Sequence, residues 1–145
     1  MKRTARGCLY VETSAVLRIL LEGDRLLAAR IAKAGRLATS ALTGVEARRG
    51  LRRALHERRI DQRAFREGER WLHSFLRSCD EIALAAEVLA KAGEEFPVEP
   101  VRTLDGLHLA SALLWEQEIG AITMVSCDDR VRENGVALGW KVLPA

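Results

Sequence analysis

The chain has 145 residues, 48% hydrophobic and 30% charged, which is the composition and length of a soluble globular protein with one buried core, so we expect a single domain over residues 1–145. No stretch approaches the roughly 20 consecutive apolar residues of a membrane-spanning helix. Cys8, Cys79 and Cys127 are odd in number and widely spaced, which disfavours a disulfide framework or a zinc site and favours reduced thiols in the cytoplasm.

Arginine carries most of the positive charge of the chain, whose net charge is +3 and whose pI is about 9.0. Lysine occupies four positions, so arginine supplies 19 of the 23 basic residues. The planar guanidinium suits phosphate or carboxylate partners, although a GC-rich genome produces the same bias. Residues 1–7 are basic, but Glu12 and Arg18 interrupt the apolar run after them, so we expect no signal peptide.

Strands and helices alternate along the chain. In chain order the sequence predicts a strand at 8–11, a helix at 14–22, a strand at 37–39, helices at 43–58 and 61–77, a strand at 81–84, helices at 85–92 and 103–119, a strand at 122–125, a helix from 129 and a strand at 140–143. Gly23, Gly93 and Gly120 end helices, and Asp61 and Thr103 are candidate N-caps. This alternation predicts a parallel sheet with helices on both faces.

Acidic residues follow two of the predicted strands. Glu12 comes directly after the first strand, and Asp128 and Asp129 after the strand at 122–125. Because the carboxyl ends of parallel strands meet at one edge, these acids should converge, and helix starts can bring Glu46 and Asp105 to the same place.

Each acid also has a purely structural explanation. Glu12 fits a solvated loop, Asp105 compensates a helix dipole, Asp128 fits an N-cap, and Glu46 with Thr43 has the spacing of a capping box. Convergence at one edge is the better explanation for all four together.

Several carboxylates at one edge would repel one another unless a cation lay among them. Oxygen ligands without His or Cys suit Mg²⁺ or Mn²⁺, which activate water in phosphodiester hydrolysis. The helix predicted at 43–58 carries a basic strip with Arg48, Arg49, Arg52 and Arg53. This strip is either a solvated face or a surface that binds an RNA backbone or an acidic partner.

Four segments in order resemble PIN-domain proteins of the VapC toxin type. They are Tyr-Val-Glu-Thr-Ser-Ala at 10–15, Thr-Ser-Ala-Leu-Thr-Gly-Val-Glu-Ala-Arg-Arg at 39–49, Leu-Asp-Gly-Leu-His-Leu-Ala-Ser-Ala at 104–112 and Val-Ser-Cys-Asp-Asp-Arg-Val at 125–131. The resemblance implies an α/β/α sandwich with a central, mainly parallel sheet. It also implies a Mg²⁺- or Mn²⁺-dependent endoribonuclease, the toxin of a type II toxin–antitoxin pair, usually dimeric and inhibited by a VapB-type antitoxin.

Carried over by motif, the resemblance assigns the site residues. The catalytic acids would be Glu12, Glu46, Asp105 and Asp128; the metal ligands would be Glu12, Asp105, Asp128 and Asp129. Ser14 and Ser126 match small hydroxyl positions that orient ligands, water or phosphate. His108 lies three residues after Asp105 on the same side of the helix, and we expect it to pack under the site rather than to transfer a proton.

Glu12 departs from the family pattern, in which this acid is normally Asp. One extra methylene moves the carboxylate by ~1 Å, and a misplacement of that size can cost on the order of 100-fold in rate. A second interpretation is therefore a weakened PIN domain that binds RNA or an antitoxin without efficient cleavage. A third is an unrelated α/β domain whose acids are only caps. For a dimer interface we expect exposed apolar helix faces around Leu72, Leu76 and Trp115.

Overall fold

The structure is a computed structural model that describes residues 7–145. The basic residues 1–6, on which part of the signal-peptide expectation depends, lie outside the described residues. The strands are β1 (Cys8–Val11), β2 (Arg36–Ser40), β3 (Cys79–Ile82), β4 (Thr123–Val125) and β5 (Lys141–Leu143). The helices are α1 (Thr13–Glu22), α2 (Arg25–Ala32), α3 (Ala41–His56), α4 (Gln62–Ser78), α5 (Ala86–Ala92), α6 (Thr103–Ile119) and α7 (Asp129–Ala137).

The five strands form one sheet in the order β3-β2-β1-β4-β5, and every pairing is parallel. β1 lies at the centre, where Leu9 pairs with Leu37 of β2 and with Thr123 of β4. The chain first extends the sheet from β1 towards β3 and later returns to add β4 on the other side. The order therefore reverses between β1 and β4, which is the position where ligands bind in open parallel sheets.

Helices cover both faces of the sheet, as the sequence predicted. Successive β1 side chains point to opposite faces, so Leu9 and Val11 enter a core with α1 to α4, whereas Tyr10 enters a second core with α6 and α7. Leu72 and Trp115, which we expected on exposed dimerisation faces, are only 1% and 2% exposed and belong to these cores. That expectation was wrong, because each of these helices turns its large apolar side chains towards the sheet.

Local end signals explain most helix boundaries. Gly23 ends α1 at φ +66°, and the Asp61 carboxylate accepts a hydrogen bond from the N–H of Ala64 at the start of α4, both as predicted. Gly120 ends α6 at φ +90°. Thr103, predicted to cap α6, is instead its first residue; the N-cap is Arg102, which forms no capping side-chain bond.

Two further differences concern the first half of the chain. α2 was not predicted; it starts at Asp24, whose carboxylate accepts from the N–H of Leu27 at 3.0 Å. α3 begins at Ala41 under a Ser40 cap, two residues before the predicted Thr43 cap. The capping-box explanation of Glu46 is therefore wrong, because the Thr43 hydroxyl lies inside the protein, 2.8 Å from that of Thr39.

Within the described residues, none of the helices is both long enough and apolar enough to cross a membrane.

Candidate acidic site

The residues after β1 and β4 meet at the carboxyl edge of the sheet. The N–H of Glu12 donates to the carbonyl of Val125, the last residue of β4, at 2.9 Å. Glu12 therefore lies beside the segment that contains Ser126 and leads to Asp128, although more than a hundred residues separate them in sequence. This juxtaposition follows from the parallel pairing of β1 with β4.

Glu12 is a buried carboxylate, only 5% exposed, that caps α1. Its Oε1 accepts from the N–H of Ser14 at 3.1 Å, and its Oε2 accepts from the hydroxyls of Ser14 and, at 2.7 Å, Ser126. The Ser14 oxygen accepts in turn from the N–H of Cys127 at 2.8 Å, and that of Ser126 from the N–H of Asp128 at 3.1 Å. The two serines predicted to support the site thus contact Glu12 directly and join β1 to β4.

Asp105, Asp128 and Asp129 line one open cleft with a volume of about 660 Å³. Asp128 caps α7, its Oδ1 accepting from the N–H of Val131 at 3.0 Å, so the capping interpretation given as its structural alternative is confirmed. Asp105 lies in the first turn of α6 and is partly buried.

The pKa of Asp105 is raised above its ordinary value of 3.8, first by burial and then by the negative charges of Asp128 and Glu12. Electrostatic interactions with His108 and Arg102 offset the rise in the pKa of Asp105 in part. The acids from the ends of two strands and the start of a helix therefore interact through their charges, and a cation in the cleft would relieve that repulsion.

Glu46 is joined to this region through a different set of contacts. Its Oε1 accepts from the Thr13 hydroxyl and from His108 Nε2, both at 2.8 Å. Burial by itself opposes ionisation of Glu46, but the hydrogen bond and electrostatic interaction with His108, together with the Thr13 hydroxyl, more than offset it and lower the pKa of Glu46 below its ordinary value. Glu46 does not line the cleft of the three aspartates.

A polar network that the sequence did not predict lies behind Glu46. His108 is 1% exposed, so it packs under the site as expected, but its ring bonds to Glu46 on one side and to the Tyr10 hydroxyl on the other. Thr13 continues the network, since its oxygen lies 3.1 Å from that of Thr43. The sequence signal for this network was His108 itself, a histidine within the apolar stretch of α6 three positions after Asp105, and its partners come from distant parts of the sequence.

The cleft has the right kind of ligands for a hard divalent cation, because its acids offer oxygen atoms alone. Within residues 7–145, however, no three side chains of His, Cys, Asp or Glu are gathered closely enough to form a ready metal site. Asp128 is held by its cap, and Glu12 by the two serines. The residues therefore fit Mg²⁺ or Mn²⁺ in chemistry and location, and binding requires their side chains to converge.

The predicted basic strip lies along α3, away from the cleft. Arg48, Arg49, Arg52 and Arg53 are all exposed, and none lines the cleft. The guanidinium of Arg52 lies 5.2 Å from the centroid of the Phe65 ring in α4, a cation–π contact between two helices.

The arginines that do line the cleft were missed by the sequence reasoning. Arg102 and Arg130 lie at its rim beside the three aspartates. Arg102 lies three positions before Asp105 and Arg130 directly follows Asp129, and this proximity in sequence is the signal that could have identified them.

A five-stranded parallel sheet with an acidic cleft at its topological switch point defines an α/β/α protein with a potential cation site. The family model described as PIN domain matches residues 9–136, and the chain belongs to the PIN-domain family. The fold and the family are thus those predicted from the four segments. A search of curated proteins found no match.

Solved structures share the fold at low sequence identity. VapBC2 from Rickettsia felis, solved bound to a DNA fragment from its promoter, matches with a TM-score of 0.63 and 14% identity over 93% of this chain and 96% of that chain. A toxin–antitoxin complex from Klebsiella pneumoniae matches with a TM-score of 0.62 and 16% identity over 94% and 98% of the two chains. PAE2754 from Pyrobaculum aerophilum matches with a TM-score of 0.55 and 21% identity over 90% and 80%.

Proposed function

We propose that the protein is a metal-dependent endoribonuclease of the VapC type, acting in the cytoplasm as the toxin of a type II toxin–antitoxin pair. The observation that carries the proposal is the cleft of Asp105, Asp128 and Asp129 in a PIN domain, where burial, and after it the neighbouring negative charges, raise the pKa of Asp105. Repelling carboxylates at a strand edge are costly without a cation, and oxygen ligands select Mg²⁺ or Mn²⁺.

The proposal gives each acid a role. Asp105, Asp128 and Asp129 would hold the cation, and Glu12, oriented by Ser14 and Ser126, would add a fourth carboxylate. A bound Mg²⁺ or Mn²⁺ supplies Lewis acidity for attack of water on a phosphodiester and for departure of the leaving oxygen. Glu46, which is ionised at neutral pH, would be the proton acceptor that orients the attacking water, and its lowered pKa makes it a weak base in that role.

Arg102 and Arg130 would seat the RNA backbone at the cleft, because they are the cations at its rim. Arg130 Nη1 donates to the carbonyl of Glu99 at 2.9 Å, so its position is fixed by the loop before α6. Arg102 is exposed and forms no salt bridge within residues 7–145, so it can meet a phosphate, whereas Arg130 Nη1 lies 3.7 Å from Glu133 Oε2. The strip of arginines on α3 would extend this track for a longer RNA.

RNA cleavage by the purified, partner-free protein tests the proposal. Total RNA should yield discrete products with Mn²⁺ or Mg²⁺ and none with EDTA. Asp105→Asn should lower the rate by at least about 100-fold, because it removes a ligand charge from the cleft. Glu118→Gln, an exposed change near the opposite end of the same helix, should cleave like the wild type. Equal rates for both variants would refute the assignment of the cleft.

A weakened PIN domain that binds RNA or an antitoxin without efficient cleavage is the second candidate. It is favoured by the near-complete burial of Glu12 and by its bonds to two serines, which occupy both carboxylate oxygens. Under this alternative the wild type is inactive at saturating Mn²⁺ and Glu12→Asp cleaves RNA. Activity of the wild type equal to that of Glu12→Asp would exclude it.

We also propose a VapB-type antitoxin and a homodimer as the assembly. The support is the family and a fold shared with structures described as toxin–antitoxin complexes. A cationic side chain from the antitoxin would neutralise the acidic cleft in place of the metal. Co-expression with the product of an adjacent short reading frame should give a stable complex without RNase activity.

Light scattering should give the free protein roughly twice its chain mass of 16.1 kDa. A complex that still cleaves RNA would contradict the proposed antitoxin, and a monomeric free protein would contradict the proposed homodimer.

A further inference from the structure

His108 lies in the core with both ring nitrogens bonded to other side chains. Nε2 lies 2.8 Å from Glu46 Oε1, and Nδ1 lies 3.0 Å from the Tyr10 hydroxyl. An ionised carboxylate only accepts hydrogen bonds, so the proton between His108 and Glu46 belongs to Nε2. The ring therefore presents a fixed N–H to one of the site's acids.

Tyr10 fixes the other side of the imidazole. Its side chain is fully buried in β1, and the two rings meet edge to face at 75° with their centroids 6.2 Å apart. A tyrosine phenol keeps its proton at neutral pH, so the Tyr10 hydroxyl can donate to Nδ1 across the 3.0 Å contact. Together the two contacts set both the orientation and the tautomer of His108.

The Glu46 carboxylate is held by one oxygen. The Thr13 hydroxyl and His108 Nε2 both bond to Oε1, whereas in the described part of the chain Oε2 has no hydrogen-bond partner from the protein. The side chain is 25% exposed, so water reaches it. Glu46 is thus restrained by two donors while one oxygen stays available.

This contact also ties together the two helices that supply acids. Glu46 belongs to α3, which follows β2, whereas His108 belongs to α6 and lies one turn beyond Asp105. The hydrogen bond therefore fixes the distance between the helix that carries Glu46 and the helix that carries Asp105.

We propose that His108 and Tyr10 are positioning residues, which orient Glu46 relative to the acidic cleft through a Tyr10–His108–Glu46 relay. The inference rests on the proposed function and extends it, because it assigns a role in the reaction to two residues that touch neither RNA nor metal. The relay acts through Glu46 alone, so its contribution to kcat should vanish when Glu46 cannot accept a proton.

Steady-state cleavage by variants tests the relay. His108→Leu should lower kcat by about 10-fold to 100-fold with little change in KM, the usual cost of losing a partner that orients a site residue. His108→Gln, which can place an amide N–H near the Nε2 position, should recover most of that loss. Tyr10→Phe, which deletes one hydroxyl, should lower kcat by a smaller factor. In a Glu46→Gln background, His108→Leu should cause no further loss.

Additive losses in the double variant, or equal losses for His108→Leu and His108→Gln, would overturn the proposal. ¹⁵N NMR of the wild-type imidazole adds a readout that does not depend on activity, and it should show a proton on Nε2. An unprotonated Nε2 would also overturn the relay. A wild type that cleaves no RNA refutes the proposed nuclease, whereas the NMR result still accepts or rejects the hydrogen bond on which the relay depends.

Discussion

Replacing Glu12 by alanine should destabilise the fold, whatever its effect on catalysis. The change removes the N-cap of α1, worth about 1 kcal/mol, and hydroxyl bonds to a charged carboxylate, worth about 1.5–3 kcal/mol each. The loss of one negative charge beside Asp105 offsets part of this cost, since Glu12 helps to raise the pKa of Asp105. The freed hydroxyls of Ser14 and Ser126 lie 3.2 Å apart and can bond to each other, which recovers a further part, so we expect a net loss of about 2–4 kcal/mol in the free energy of unfolding.

Urea unfolding followed by circular dichroism measures this loss. For a chain of this length the same change lowers Tm by roughly 5–15 °C. Glu22→Ala, at the exposed end of the same helix, is the matched control and should change stability by less than about 0.5 kcal/mol. If Glu12→Ala were as stable as Glu22→Ala, the carboxylate would not have the structural role that its contacts indicate.

Three further predictions follow from single contacts. Because the folded pKa of Glu46 lies below its ordinary value of 4.5, its ionised form stabilises the fold above that value, and the contribution is lost as the pH falls through the folded pKa. Unfolding of Glu46→Gln in urea should therefore depend less on pH on the acid side than unfolding of the wild type, and parallel pH profiles would contradict this. Gly68→Ala places a Cβ 2.9 Å from a methyl of the buried Leu51 side chain, and the gain of about 1 kcal/mol in helix propensity offsets part of the overpacking, so we expect a net cost of about 1–2 kcal/mol in thermal unfolding. Gly93→Ala meets no atom closer than 3.6 Å and should be neutral; equal melting temperatures would refute the packing argument. Arg102→Ala should raise KM for RNA by about 5-fold to 30-fold with kcat nearly unchanged, as expected for the loss of one phosphate contact, and an unchanged KM would remove Arg102 from the RNA site.

Elements with strong local signals could be predicted from the sequence. The Asp61 cap and the glycines at 23 and 120 marked helix ends because each satisfies backbone groups within one turn. Short apolar runs identified the strands to within two residues. α2 was missed because it is short and buries only Leu27 and Ile31, which gives little helical periodicity.

The start of α3 shows how tertiary contacts override a local motif. Thr43 and Glu46 have the spacing of a capping box, but Ser40 caps the helix, and Thr43 and Glu46 bond to residues from other elements. The spacing of a capping box is present in the sequence, but in the fold Thr43 and Glu46 form hydrogen bonds to Thr13 of α1 and not to the backbone at the start of α3.

The placement of the candidate acids at one edge of the sheet was predictable, but their contacts were not. Parallel topology places Glu12 and Asp128 at one edge whatever their side chains do. The hydrogen bond between Glu12 and Ser126 joins residues 114 positions apart in sequence. The hydrogen bond between Glu46 and His108 joins residues 62 positions apart. Such contacts depend on side-chain packing, which cannot be predicted from the periodicity of a single sequence.

Paramagnetic line broadening by Mn²⁺ is the most direct test of the acidic cleft as the metal centre. Substoichiometric Mn²⁺ should first broaden the backbone amide signals around Asp105 and Asp128, leave those around Gly68 sharp, and lose this selectivity in Asp105→Asn. Broadening centred on another acidic surface, or unchanged in the variant, would contradict a metal-dependent nuclease site at this edge of the sheet.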